Sequence, residues 1–108
     1  MTSSAYQWGG CVLEFSEKSL VSANPIVSKT LGNLCGPRDL EFDSSGNLWV
    51  ANEYGGTVVE FNGASLGSGR PSVSAVISGL SQLALDQWPT SLGFDQSGNL
   101  WIGEESPS

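Results

Sequence analysis

PRDLEFDSSGNLWVANE, residues 37–53, recurs at an offset of 52 as PTSLGFDQSGNLWIGEE, residues 89–105. Ten of the seventeen aligned positions are identical. A second match joins WGGCVLEFSEKSL, residues 8–20, to YGGTVVEFNGASL, residues 54–66, at an offset of 46. A fixed period of this kind is typical of architectures in which one supersecondary unit stacks on the next. The sequence therefore predicts a repeated unit, with an insertion after Leu66 in one repeat.

Each unit is predicted to contain four short antiparallel strands, named a to d in chain order. Strands a and b form a hairpin at residues 40–51, because the Asp and Gly of a tight turn interrupt the apolar pattern at residues 43–46. Strand c at residues 57–61 follows a Gly-Gly turn, and strand d is expected at residues 72–78. No helix longer than one turn is expected. The predicted fold class is all-β, and four antiparallel strands per unit favour the blade of a β-propeller.

The repeats predict a single propeller segment over residues 1–108, with two blades' worth of sheet. Residues 8–36 make a half-blade of strands c and d, residues 37–88 a full blade with a longer d-to-a loop, and residues 89–105 a half-blade of strands a and b. Half-blades leave backbone groups unpaired, so we expect either self-association or membership of a longer propeller.

For self-association, the expected form is a cyclic homo-oligomer in which strand b of one chain pairs with strand c of the next. Three chains would supply six blades, within the range of roughly four to eight found in propellers. A homotrimer is therefore the expected ring. The expected interface residues are Val12, Leu13, Phe15, Leu100, Trp101 and Ile102.

Composition limits the partners and the chemistry. The net charge of −7 gives no basic surface for nucleic acid or anionic membrane, and no apolar run has the length of a membrane span. No signal peptide is recognisable, which makes a cytoplasmic location the default expectation. Histidine is absent, which excludes imidazole bases and most zinc sites. Cys11 and Cys35 are expected to be free thiols, with a single bridge as the alternative.

The motif P-x-x-L-x-F-D-x-S-G-N-L-W-[VI], followed by G-G-x-V-[VL]-E-F, resembles the repeat of NHL-type β-propellers and, more loosely, that of gluconolactonase-like six-bladed propellers. The resemblance covers nearly the whole chain. It implies a ring of blades with ligands or partners bound on one face. Gluconolactonase-like enzymes hold a divalent cation at the channel mouth with Glu, Asn and Asp side chains from several blades. For this sequence the resemblance suggests Asp39, Asn52 and Glu104 as metal ligands, if a metal such as Ca²⁺ is bound.

The b-to-c and d-to-a loops are expected on the same face of each blade, because successive antiparallel strands alternate in direction. Carboxylates, amides and aromatic rings collect in these loops and are typical of a carbohydrate, small-molecule or protein site. A solvated acidic rim is the alternative. The candidate ligand-binding residues are Asp39, Asn52, Glu53, Tyr54, Trp88, Glu104 and Glu105, with Trp8, Cys35, Arg38 and Gln87 nearby.

The aspartate turns and the tryptophans that follow them are each explained by a structural role. Asp43 and Asp95 open turns that resemble calcium loops, but the ligand spacing is absent and a hairpin turn is favoured. Trp49 and Trp101 are expected to fill the space between blades, with each indole N–H donating to a backbone acceptor.

Together these features predict a non-enzymatic binding or scaffold module without a cofactor. The alternative is a metal-dependent lactonase or hydrolase of the gluconolactonase-like type.

Overall fold

A computed structural model describes residues 10–78 and 88–105 of the chain, and strands dominate these residues. The strands are β1 (Gly10–Glu14), β2 (Lys29–Leu34), β3 (Pro37–Phe42), β4 (Leu48–Asn52), β5 (Thr57–Phe61), β6 (Ala75–Ile77), β7 (Trp88–Phe94) and β8 (Leu100–Glu105). Every strand pair is antiparallel. The prediction of an all-β fold built from antiparallel sheet is confirmed.

The described strands form three separate sheets. The first contains β1 and β2, the central sheet has the order β3-β4-β5-β6, and the third contains β7 and β8. The central sheet is therefore a four-stranded meander. Strand β6 is shorter than the predicted strand d, and β7 extends from Trp88 to Phe94.

Hairpins β3–β4 and β7–β8 close with the same turn. Asp43 and Asp95 each accept a backbone N–H from the residue three positions later, at 3.2 and 3.1 Å. Gly46 and Gly98 have φ of 85° and 88°, in the left-handed region where a side chain is strained. The repeated Asp and Gly of the sequence thus specify one local geometry twice.

Two single-turn helices, α1 (Glu17–Leu20) and α2 (Gly63–Leu66), follow β1 and β5. They were not predicted from the sequence. Each is preceded by a capping residue whose side-chain oxygen accepts a backbone N–H three positions later, Ser16 for α1 and Asn62 for α2. Within residues 10–78 and 88–105, no helix has the length and apolar character required to cross a membrane.

The central sheet has apolar residues on both faces. Leu48 and Val50 of β4 join Phe61 of β5 in a cluster that includes residues of β2, whereas Ala51 and Val58 join a cluster with Leu92 of β7. The alternation follows the two-residue period of a strand, which sends successive side chains to opposite faces. The sheets therefore pack face to face in chain order, with the central sheet between the other two.

Candidate functional site

The turn between β4 and β5 lies against the connection between β2 and β3. The backbone N–H of Glu53 donates to the carbonyl oxygen of Gly36 at 2.9 Å, and that of Tyr54 donates to the carbonyl of Cys35 at 3.1 Å. The structure therefore brings a b-to-c turn and a d-to-a connection together, as expected from strand direction. We call this end of the sheets the loop face, comprising Cys35, Gly36, Arg38, Asn52, Glu53, Tyr54, Trp88, Glu104 and Glu105.

Glu53 is a buried carboxylate on the loop face. Its residue is only 6% exposed, and its Oε2 atom lies 2.7 Å from Nη1 of Arg38, whose side chain is about half exposed. A buried carboxylate requires a partner, and the guanidinium supplies a charge-assisted hydrogen bond. Glu53, predicted as a ligand residue, is thus held in an ion pair that fixes the turn.

Tyr54 and Trp88 form an edge-to-face aromatic pair. Their ring centroids are 5.2 Å apart and the planes are inclined by 83°. Tyr54 is 43% exposed and Trp88 is partly buried. Gly36, with φ of 69°, lies beside the Tyr54 ring, which occupies the space that a side chain at position 36 would need. Glu105 lies directly across the ladder from Trp88. Aromatic surface and a carboxylate thus occur together on the loop face.

The carboxylate of Asp39 connects two sheets. Its Oδ1 atom accepts the backbone N–H of Leu40, and its Oδ2 atom accepts the backbone N–H of Leu92 on β7, both at 2.8 Å. Each oxygen therefore has a backbone donor. Asp39 was predicted as a ligand from its residue type, and nothing in the sequence indicates that its partner lies more than fifty residues away.

Asn52 and Glu104 occupy equivalent repeat positions but different surroundings. Asn52 is 6% exposed, and its Nδ2 atom is 3.5 Å from Oγ1 of Thr57. Its buried Oδ1 atom has no hydrogen-bond partner in the part of the chain that the structure describes. Glu104 is exposed on β8, opposite Pro89. Across residues 10–78 and 88–105, no three His, Cys, Asp or Glu side chains form a group that could hold a metal ion.

The turn aspartates bind their own hairpins. Asp43 accepts the indole N–H of Trp49 at 3.0 Å, together with hydrogen bonds from Ser45 and Asn47. These donors, the indole first, lower the pKa of Asp43 from 3.8 to about 2. The prediction of a backbone acceptor for the indole was wrong, because the carboxylate of the turn is closer in sequence and carries a charge.

The second hairpin repeats this network. Asp95 accepts a hydrogen bond from the indole N–H of Trp101 at 3.0 Å, together with hydrogen bonds from Ser97 and Asn99. Its pKa is likewise lowered to about 2, with the indole again the largest cause. Hydrogen bonds within each hairpin therefore account for the Asp, Ser, Asn and Trp that the two repeats share in and after the turn.

The predicted interface residues differ in exposure. Leu13, Phe15 and Trp101 are exposed, and Trp101 has the highest exposed fraction of the three at 67%. The other three are partly buried: Val12, Leu100 and Ile102. Sequence reasoning missed two exposed apolar residues of β3, Leu40 and Phe42. Their alternation with Glu41 was the available signal for a shared face.

Trp8 and Gln87 lie outside the described residues. Cys11 and Cys35 are both free thiols, as expected, with Cys11 exposed and Cys35 partly buried.

Comparison with protein-family models, with curated proteins and with solved structures found no match to this chain.

Proposed function

We propose that this chain is a non-enzymatic binding or scaffold module of the β-propeller type, in which two-blade chains associate into a ring and contact ligands through the loop face. The observation that carries the proposal is the position of β7, which packs against β3 and β4 of the preceding sheet. Strand a of one unit thus lies beside strands a and b of its neighbour. Face-to-face stacking of successive four-stranded units is the arrangement of propeller blades.

The size of the ring is the first test. Head-to-tail contacts are heterologous and terminate only when the rotation closes, so a discrete mass is expected. Six blades correspond to a trimer, with three times the 11.3 kDa mass of one chain. Light scattering coupled to size exclusion measures this mass. A dimer or tetramer would support a ring with a different blade number, whereas a folded monomer at micromolar concentration would contradict the proposal.

The ligand class that the loop face supports is carbohydrate. The aromatic pair of Tyr54 and Trp88 provides apolar surface, and Glu105 across from Trp88 provides acceptor oxygens. Aromatic rings with a few polar groups are the usual lining of such sites.

Tryptophan fluorescence during titration with neutral oligosaccharides would test this assignment. Saturable quenching is expected for the natural chain and should be lost in Tyr54→Ala. The control is Val73→Ala, an exposed apolar position before β6, at the end of the sheet away from the turn between β4 and β5. Equal quenching in both variants would contradict a role for the loop face.

A second candidate is a metal-dependent lactonase or hydrolase, and the buried Oδ1 atom of Asn52 is the observation that favours it. An amide oxygen is a suitable ligand for Ca²⁺. Calcium titration separates the two functions. A ligand at a hundred times its Kd stabilises the folded state by about 2.7 kcal/mol, which a thermal midpoint reports. No shift is expected under the binding-module proposal, and a saturable shift abolished in Asn52→Ala would favour the metal enzyme.

A further inference from the structure

We infer that the partner of this chain is a second copy whose β7–β8 hairpin occupies the cleft between β1 and β3, with β8 of that copy paired to β1 in one fixed register. This inference rests on the proposed propeller-type assembly. It adds the docking site, the strand register and the residues that meet.

Strands β1 and β8 each have an open edge in the described part of the chain. Strand β1 is hydrogen-bonded to β2 alone, and β8 is hydrogen-bonded to β7 alone. Strand β8 repeats the sequence of β4, and β1 repeats that of β5. Because β4 and β5 pair with each other in the central sheet, their sequence counterparts have matching edges. Open edges of this kind are sites of strand addition.

The ladder between β4 and β5 fixes the register of the proposed pairing. In that ladder Leu48 is opposite Phe61 and Asn52 is opposite Thr57. Adding 52 to the β4 numbers and subtracting 46 from the β5 numbers, which are the two repeat offsets, gives the intermolecular pairs. These pairs are Leu100 with Phe15, Trp101 with Glu14, Ile102 with Leu13, Gly103 with Val12, and Glu104 with Cys11.

A cleft lies between β1 and β3. Two adjoining cavities of about 360 and 430 Å³ lie there. Residues of β1 and β3 line both, including Val12, Leu13 and Leu40. Phe42 lines the cavity of about 360 Å³, to which Phe15 and Leu31 also contribute. The cleft thus presents apolar side chains beside the open edge of β1.

Residues of β3 are exposed where their counterparts in β7 are covered. Leu92 is 8% exposed, but its counterpart Leu40 is 42% exposed. Phe94 packs on Trp49, with ring centroids 6.1 Å apart at 62°. In the proposed assembly the same contact forms between Phe42 of one chain and Trp101 of the second copy, which are 57% and 67% exposed. One docking event therefore covers both exposed rings.

A disulfide provides the sharpest test, because Cys11 is an exposed free thiol and Glu104 is its predicted neighbour. Directly opposed residues of antiparallel strands have Cα atoms about 4.5 to 5.5 Å apart, within disulfide range. The contact between the side chains of Asn52 and Thr57 shows that this ladder position brings side chains together. Glu104→Cys should therefore link to Cys11 when oxidised glutathione is added as the oxidant.

The matched control is Glu105→Cys. It makes the same change on the next residue, whose side chain points to the opposite face of β8. Non-reducing electrophoresis should show a ladder of covalent oligomers for Glu104→Cys, ending at the ring size, and little for Glu105→Cys. Mass spectrometry of a mixture of isotope-labelled and unlabelled chains should identify the Cys11-containing peptide linked between chains. A link within one chain, or preferential linking of Glu105→Cys, would overturn the inference.

Phe42→Ala supplies a second test that needs no new cysteine. Loss of the phenyl ring should lower the oligomer mass or raise the protein concentration at half-association at least tenfold. Circular dichroism should still show the strand signal of the natural chain. Val73→Ala, at another exposed apolar position, should associate normally. Unchanged association of Phe42→Ala would overturn the inference. If the natural chain is a discrete oligomer but neither variant behaves as expected, the proposed register is wrong and the propeller-type assembly is retained. A natural chain that is a folded monomer would contradict both the register and the assembly.

Discussion

Hairpins β3–β4 and β7–β8 share ten of seventeen residues and the same turn, yet strand β4 is far more buried than its counterpart β8. Both aspartates accept an indole N–H at 3.0 Å, and both turn glycines have positive φ. Leu48 of the first hairpin is 4% exposed, whereas its counterpart Leu100 is only partly buried. Trp49 is partly buried and Trp101 is 67% exposed.

The difference between the hairpins arises from their neighbours. Strand β4 is hydrogen-bonded to β3 and β5 and has a sheet packed against each face. In the part of the chain described, β8 is hydrogen-bonded to β7 alone. The hydrogen bonds to the turn aspartate are therefore determined by the repeated sequence, whereas the burial of each hairpin is determined by the sheets around it. Paired substitutions at equivalent positions separate the two contributions.

The largest expected effect is in the core. Leu48→Ala removes a buried side chain and should cost about 2 to 5 kcal/mol of unfolding free energy, whereas Leu100→Ala in dilute protein should cost less than about 2 kcal/mol. Denaturant titrations over a range of protein concentrations measure both. If the proposed assembly covers Leu100, the unfolding free energy lost in Leu100→Ala should rise with protein concentration toward the loss in Leu48→Ala. Equal costs in dilute protein would contradict the comparison.

The ion pair of the first hairpin comes next. Arg38→Ala leaves the buried carboxylate of Glu53 without its cation and should cost about 2 kcal/mol, reduced by the partial exposure of Arg38. Thr90 occupies the equivalent position in the second hairpin, where Glu105 is exposed. Thr90→Ala should therefore cost less than about 1 kcal/mol. Denaturation of the two variants side by side checks the difference, and similar losses would refute it.

Turn glycines should behave alike in both hairpins. Gly46→Ala and Gly98→Ala each place a side chain at positive φ, where an added Cβ meets no other atom within 4 Å. Each should destabilise the fold by about 1 kcal/mol through backbone strain alone. The measurement is the denaturation midpoint of each variant. A loss confined to Gly46→Ala would show that the turn depends on its surroundings.

The smallest effect is in the pH dependence. The pKa of both Asp43 and Asp95 is lowered from 3.8 to about 2, so their charged forms stabilise the folded state above about pH 4. This contribution is lost as pH falls from about 4 to about 2, because the unfolded chain takes up the protons first. Thermal midpoints across this range should fall less steeply in Asp43→Asn and in Asp95→Asn than in the natural chain. Identical slopes in all three proteins would contradict the assignment.

Much of the fold was predictable because its determinants are local. Alternating apolar residues and the Asp and Gly of each turn specify the hairpins, and their recurrence predicts equivalent strands. The single-turn helices were missed because each has only four residues, too few to show a helical apolar period, although Ser16 and Asn62 are ordinary capping residues.

Prediction of the candidate site was less complete. The residue types of the loop face could be selected from sequence, since antiparallel strands place alternate loops at the same end. The pairing of Asp39 with the backbone of Leu92, and of Glu53 with Arg38, could not be selected. Those contacts depend on how one sheet packs against the next and how a turn returns to an earlier strand.

The sequence by itself determined the all-β class, the positions of the hairpins and the carboxylate-bearing turns, because each depends on residues a few positions apart. Only the tertiary structure decided which members of each repeated pair are buried. Leu92 and Leu40 are the same residue at the same repeat position, yet one is covered by a neighbouring sheet and the other faces a cleft. The physical reason is that burial depends on the elements stacked against a strand, which a strand's own sequence does not contain.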